Sequence, residues 1–103
     1  MKHFLIRYQF KNGTTQDWHK EIERFIVALE NDPTLNERIA YRCLKSGEDG
    51  AYFHIAAAAD DQAAKDLGAR EYFKHYTEKI DAVSGDTVEV LPLEIIAQTK
   101  RPV

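Results

Sequence analysis

The sequence is poor in the residues that build specialised scaffolds. Its 103 residues include one cysteine (Cys43), three prolines, five glycines and one methionine. A lone thiol excludes an internal disulfide framework and a multi-thiolate metal site. A bilayer span needs about 20 consecutive apolar residues, and no run here approaches that, so no membrane association is expected. Residues 1–7 open directly on a strand-like pattern rather than a charged leader, which makes the cytoplasm the expected location. An excess of one charge is also missing. Lys+Arg 14 against Asp+Glu 17 leaves −3, and both signs are scattered, so no basic stripe exists to meet phosphates and nucleic acid is not an expected partner. His3, His19, His54 and His75 fall in neither His-x3-His nor His-Glu-x-x-His spacing. No metal is therefore expected.

What is present is periodicity. Residues 3–10 alternate, with Phe4, Ile6, Tyr8 and Phe10 on one face and His3, Arg7 and Gln9 on the other, as a half-buried strand does. Asn12-Gly13 breaks the strand, and Thr14 to Asp17 supplies a helix start. Trp18, Ile22, Phe25, Ile26 and Leu29 then recur at helical spacing, predicting a helix over 15–31 that stops at Asn31-Asp32-Pro33. Residues 37–45 alternate again, Ile39, Tyr41 and Cys43 against Arg38 and Arg42. Ser46-Gly47-Glu48-Asp49-Gly50 is turn chemistry leading into a strand over 51–58.

Asp60 or Asp61 can cap a second helix with Ala64, Leu67, Phe73, Tyr76, Ile80 and Val83 inward. Gly68 predicts a kink or short break, and Ser84-Gly85 a stop. A last strand over 87–97 carries Pro92, which demands a bulge or an edge position, and residues 98–103 form a tail. The order is β-α-β-β-α-β, the ferredoxin-like α+β plan, with a four-stranded antiparallel sheet and two helices on one face. Residues 1–103 are expected to form one domain. The last two strands are apolar on both faces, so the uncovered face needs another partner. A second copy is the simplest cover, and a homodimer is expected.

The element order, the stretch Ala59-Asp60-Asp61-Gln62-Ala63-Ala64 through Glu71-Tyr72-Phe73-Lys74-His75-Tyr76, and the final Val88-Glu89-Val90-Leu91-Pro92-Leu93-Glu94-Ile95 together resemble the antibiotic biosynthesis monooxygenase family of the dimeric α/β-barrel superfamily. The resemblance spans nearly the whole chain. It implies two sheets facing each other as a barrel, a pocket between each sheet and its helices, and cofactor-independent oxidation of a quinol or aromatic polyketide. Members often carry a His on the second helix two turns before the Phe matching Phe73. That position is Leu67 here, so no catalytic residue is carried over. Haem-degrading relatives place an Asn on the first strand, and residues 3–10 contain none.

Weighed residue by residue, Tyr8, Trp18, Tyr41, Phe73 and Tyr76 share the inward side. They either wall an aromatic pocket for a small aromatic ligand or fill the core. His3, Arg7, Arg42 and His54 are assigned to the dimer face, with His3 and His54 read as hydrogen-bonded interface histidines. His19 and His75 are placed at the surface, and Cys43 reads as a small buried hydrophobe. Two functions remain: a cofactor-free oxygenase, or a non-catalytic dimeric module that binds a small ligand or serves an interaction partner.

Overall fold

The computed structural model describes residues 1–47 and 49–101; Glu48 of the expected turn and Pro102 and Val103 of the tail lie outside the described residues. The elements are β1 (Lys2–Gln9), α1 (Thr15–Glu30), β2 (Ile39–Lys45), β3 (Ala51–Ala58), α2 (Asp61–Gly68), α3 (Glu71–Ser84) and β4 (Glu89–Leu93). The strands pair antiparallel in the order β2-β3-β1-β4, which puts β1 and β3 at the centre of one open sheet. This is the ferredoxin-like arrangement.

Local chemistry explains the boundaries. Thr14 caps α1, its Oγ1 accepting the Asp17 N–H at 3.1 Å, and Trp18, Ile22, Phe25 and Leu29 form the buried stripe. Asp60 caps α2 by accepting the Ala63 N–H at 2.8 Å. The second helix is not continuous: Gly68 ends α2, and Arg70 takes an extended backbone (φ −74°, ψ 135°) before α3 begins, giving three helices where two were expected. α3 stops at Gly85, whose φ of +57° is left-handed and suits a residue without Cβ. β4 is shorter than expected, and Pro92 lies on an edge strand, where a missing N–H costs no ladder bond to a second neighbour.

The break has a use. Arg70 reaches the loop after α1, its Nε lying 2.8 Å from Asp32 Oδ2, which also accepts the Tyr72 hydroxyl at 2.8 Å. Asp32 Oδ1 accepts the N–H groups of Thr34 and Leu35 at 3.1 and 3.3 Å. The Arg70 hydrogen bond, outweighing burial, holds the Asp32 carboxyl down at about 2.

Register decides which face each strand residue occupies. Ile6 pairs with His54, Tyr8 with Tyr52, and Cys43 with His54, so Tyr52, His54 and Ala58 lie under the helices. This corrects the assignment of His54 to the dimer face: it is fully buried on the helix side. The hydrophobic pattern misleads because β3 is apolar on both faces and its greasier half, Phe53 and Ile55, is the half turned outward. His3 and Arg7 do lie on the open face with Leu5, by alternation from the buried Tyr8, and Arg42, opposite Ile55, joins them. Arg7 pairs with Glu89 at 3.0 Å.

Candidate functional site

The interior is organised around His54. Its Nε2 lies 2.8 Å from the Tyr8 hydroxyl, and its Nδ1 lies 2.9 Å from that of Tyr41 and 3.0 Å from that of Tyr76. Trp18 Nε1 donates to the Tyr8 oxygen at 2.9 Å, and the Tyr76 hydroxyl is 3.6 Å from Cys43 Sγ. Each of these side chains arrives from a different element: Tyr8 from β1, Trp18 from α1, Tyr41 and Cys43 from β2, His54 from β3, Tyr76 from α3. Helix spacing aims Trp18 and Tyr76 inward, and strand alternation does the same for the rest.

The donors fix the direction of this chain. An indole nitrogen can only donate, so the Tyr8 oxygen accepts from Trp18 and its own O–H has one remaining partner, His54 Nε2. That nitrogen must then carry the lone pair and Nδ1 the proton, which it donates toward Tyr41 and Tyr76. Burial disfavours imidazolium and pulls His54 down to about 4, so the ring is neutral at neutral pH. Burial also pushes the hydroxyls of Tyr8, Tyr41 and Tyr76 and the Cys43 thiol upward, so phenols and thiol stay protonated. Cys43 is no nucleophile in this setting.

Beside the network lies a cavity of about 320 Å³ between the sheet and α2 and α3, at the small end of the roughly 300–1,000 Å³ that ligand sites occupy. Its existence follows from small side chains. Ala56 and Ala58 on β3 and Ala64 on α2 leave a gap that branched residues would fill, and Phe4, Ile6, Leu67, Phe73 and Val90 complete an apolar wall. Tyr41, Thr77 and Asp81 are its polar lining groups. A second cavity of about 230 Å³ opens toward the far end of β2, beside α1, lined by His19, Cys43, Lys45 and Tyr52 among others.

The five inward aromatics therefore divide. Tyr41 and Phe73 line the larger cavity, whereas Tyr8, Trp18 and Tyr76 are buried in the packed network. Tyr41 belongs to both. Sequence reading missed three members: His54, the hub; Tyr52, buried and stacked on Tyr8 with ring centroids 5.4 Å apart; and His19, half-buried, whose Nε2 lies 2.8 Å from the Tyr52 hydroxyl. The strand pairing would have revealed His54 and Tyr52, since β1 residues of even number face even residues of β3, whereas His19 lies on α1 outside any strand register. His75 is exposed, as expected, and meets Glu21 at 3.2 Å. Among the described residues no cluster of three or more His, Cys, Asp or Glu side chains is arranged to hold a metal, and no helix is long and apolar enough to cross a membrane.

No protein-family model matches the chain, and no curated protein matches it. Solved structures do. An antibiotic biosynthesis monooxygenase superimposes with a TM-score of 0.78 at 16% identity, covering 94% of this chain and 100% of its own. SnoaB, a cofactor-independent oxygenase from Streptomyces nogalater, gives 0.77 at 18% identity, covering 97% of each chain. A conserved protein from Methanosarcina mazei Go1 gives 0.75 at 12% identity, covering 89% of each. The chain thus has the ferredoxin-like fold of antibiotic biosynthesis monooxygenases, and at these identities the likeness speaks for fold alone.

Proposed function

We propose that this protein is a cofactor-independent monooxygenase that oxidises a quinol or phenol of the aromatic polyketide type, bound between the sheet and α2 and α3. The observation that carries this reading is Tyr41: a hydroxyl at the edge of a largely apolar cavity, anchored from behind by a neutral, buried imidazole. An aromatic substrate with one polar edge suits that lining. With Nδ1–H of His54 donated to its oxygen, Tyr41 can turn its own O–H toward the substrate oxygen and stabilise the phenolate that forms. The phenolate gives one electron to O2, the radical pair recombines to a carbon-bound hydroperoxide, and loss of water leaves the quinone.

His54 is not the base that keeps the proton. A phenol near 10 and an imidazole near 4 differ by about six units, a transfer uphill by about 8 kcal/mol. The imidazole orients Tyr41, and the proton leaves to water at the mouth of the cavity. The working unit is a homodimer, one domain per chain, closed over the open sheet faces. Leu5, Phe53, Ile55 and Leu91 are half-exposed there, and Leu44 and Leu93 remain 46% exposed each, an apolar surface a second copy would cover. His3, Arg7 and Arg42 lie in that interface. A reducing cytoplasm suits the free thiol of Cys43.

Oxygen uptake over a panel of polycyclic quinols and phenols tests the reading. Turnover that falls at least tenfold in Tyr41→Phe, and disappears in Ala56→Leu with its filled cavity, is the expected result. A second reading, a dimeric module that binds such a molecule without turnover, is favoured by the scarcity of bases on the cavity wall. Binding with no uptake above the protein-free rate selects it, and neither binding nor uptake defeats both.

A further inference from the structure

Five aromatic side chains connect the two cavities without interruption. Tyr41, on the wall of the larger one, lies 6.1 Å from Tyr76 by ring centroids; Tyr76 stacks on Trp18 at 5.9 Å; Trp18 meets Tyr8 edge-on at 6.1 Å; and Tyr8 stacks on Tyr52 at 5.4 Å. Tyr52 lines the second cavity, where its hydroxyl is 2.8 Å from His19 Nε2. These centroid separations lie within the 4.5–7 Å of packed aromatic pairs, so neighbouring π systems touch. Packing alone asks for none of the hydrogen bonds that accompany the rings. Tyr8, Tyr41 and Tyr52 each have an imidazole nitrogen within 2.9 Å of the hydroxyl, and the Tyr76 oxygen accepts from His54 Nδ1 at 3.0 Å.

We propose that this series is a radical relay that carries an oxidising equivalent from the larger cavity, through Tyr41, Tyr76, Trp18 and Tyr8, to Tyr52 at the second cavity. The oxidant is a peroxyl radical, the class formed when a substrate carbon radical escapes recombination with superoxide and adds a further O2. Removing an electron from a phenol makes its O–H a strong acid, so oxidation in a dry interior requires a proton acceptor at the oxygen. The imidazoles supply it.

The steps balance. A peroxyl radical takes the hydrogen atom of Tyr41 and becomes a hydroperoxide, leaving Tyr41 as its phenoxyl radical. Tyr8 gives its electron to Tyr41 by way of the Trp18 and Tyr76 rings, each returned to its reduced state as the electron passes, and its proton to His54 Nε2, while His54 Nδ1–H passes to the Tyr41 oxygen. Tyr41 is restored, Tyr8 is the radical, and the imidazole remains neutral in its other tautomer. Tyr52 then reduces Tyr8 and releases its proton to His19 and solvent, and Tyr8 regains a proton along the same imidazole from water in the larger cavity. A soluble thiol at the second cavity returns Tyr52 to its phenol by hydrogen-atom transfer. Burial, which keeps all these phenols protonated, makes the coupled route the accessible one.

The test uses the whole protein in aerated buffer with an apolar azo initiator as the source of peroxyl radicals, a nitrone spin trap, and peptide mass spectrometry. Trypsin separates Tyr8, Tyr41 and Tyr52 into different peptides, because Arg7, Lys11, Arg38, Arg42 and Lys45 intervene. The expected wild-type adduct is on the Tyr52 peptide. In Tyr8→Phe, which keeps the ring stacks, the adduct moves to the Tyr41 peptide and the Tyr52 yield falls at least fivefold; Tyr52→Phe leaves it on Tyr8. A Tyr52 yield unchanged in Tyr8→Phe, or adducts that only follow surface exposure, overturns the relay. This inference draws its oxidant from the proposed oxygenase reading, but the initiator replaces the substrate, so a silent quinol panel and a failed relay are separate results.

Discussion

Lowering the pH should destabilise this protein through one imidazole. His54 is fully buried and held near 4, against 6.5 for an exposed histidine. The unfolded chain therefore binds a proton below about pH 6.5 that the folded chain refuses until about pH 4. Because the folded value is depressed, the stability this group confers is complete above 6.5 and drains away as pH falls toward 4. About 2.5 units at 1.36 kcal/mol each give about 3 kcal/mol, a large share of the roughly 5–15 kcal/mol that holds a domain folded. Urea unfolding of the wild type and of His54→Gln at pH 7.5 and 4.5 isolates the effect. The variant is expected to be less stable at pH 7.5, since three hydroxyls lose their shared partner, yet to lose about 2–3 kcal/mol less than the wild type on acidification. Parallel losses in the two proteins, or an NMR titration of the His54 ring with a midpoint near 6.5, would refute the reasoning.

Other perturbations read different parts of the molecule. Asp32→Asn, which leaves Arg70 and Tyr72 facing an amide, is expected to cost about 2 kcal/mol at pH 7, seen as a lower urea midpoint. Its folded value near 2 places the matching acid loss in the wild type between about pH 4 and 2, below the range where His54 acts. Thr14→Ala removes the cap of α1 and should cost about 1 kcal/mol in the same assay. Phe53→Glu puts a charge on the open sheet face. Light scattering should show the wild type at twice 11.8 kDa and the variant at 11.8 kDa, and a wild type that stays at 11.8 kDa at micromolar concentration contradicts the homodimer.

Much of the fold was legible because single elements carry their own signals. Thr14, Asp60 and Ser84-Gly85 mark helix ends by local hydrogen bonding and backbone freedom, and each stands at or beside the end it predicted. The break at Gly68 was foreseen, but its purpose was not, because the Arg70–Asp32 contact joins residues 38 apart in sequence. The site was harder. Tyr41 and Phe73 face the cavity and Tyr8, Trp18 and Tyr76 the packed interior, although all five share one inward side; periodicity gives side, not depth. His54 was misplaced because alternation within a strand says nothing about its register with the next. A histidine among alanines looks like the surface half of β3 until Tyr8, Tyr41 and Tyr76 are seen to satisfy it.

The proposed chemistry requires a phenolic ligand to meet Tyr41 inside the alanine-lined cavity. A crystal structure of the protein with a two- or three-ring phenol tests that directly. The ring is expected between Ala56 and Phe73 with its oxygen within about 3 Å of Tyr41 Oη, hydrogen-bond range. A phenol seated on the open sheet face or in the cavity beside His19, with the space around Tyr41 left empty, would contradict it.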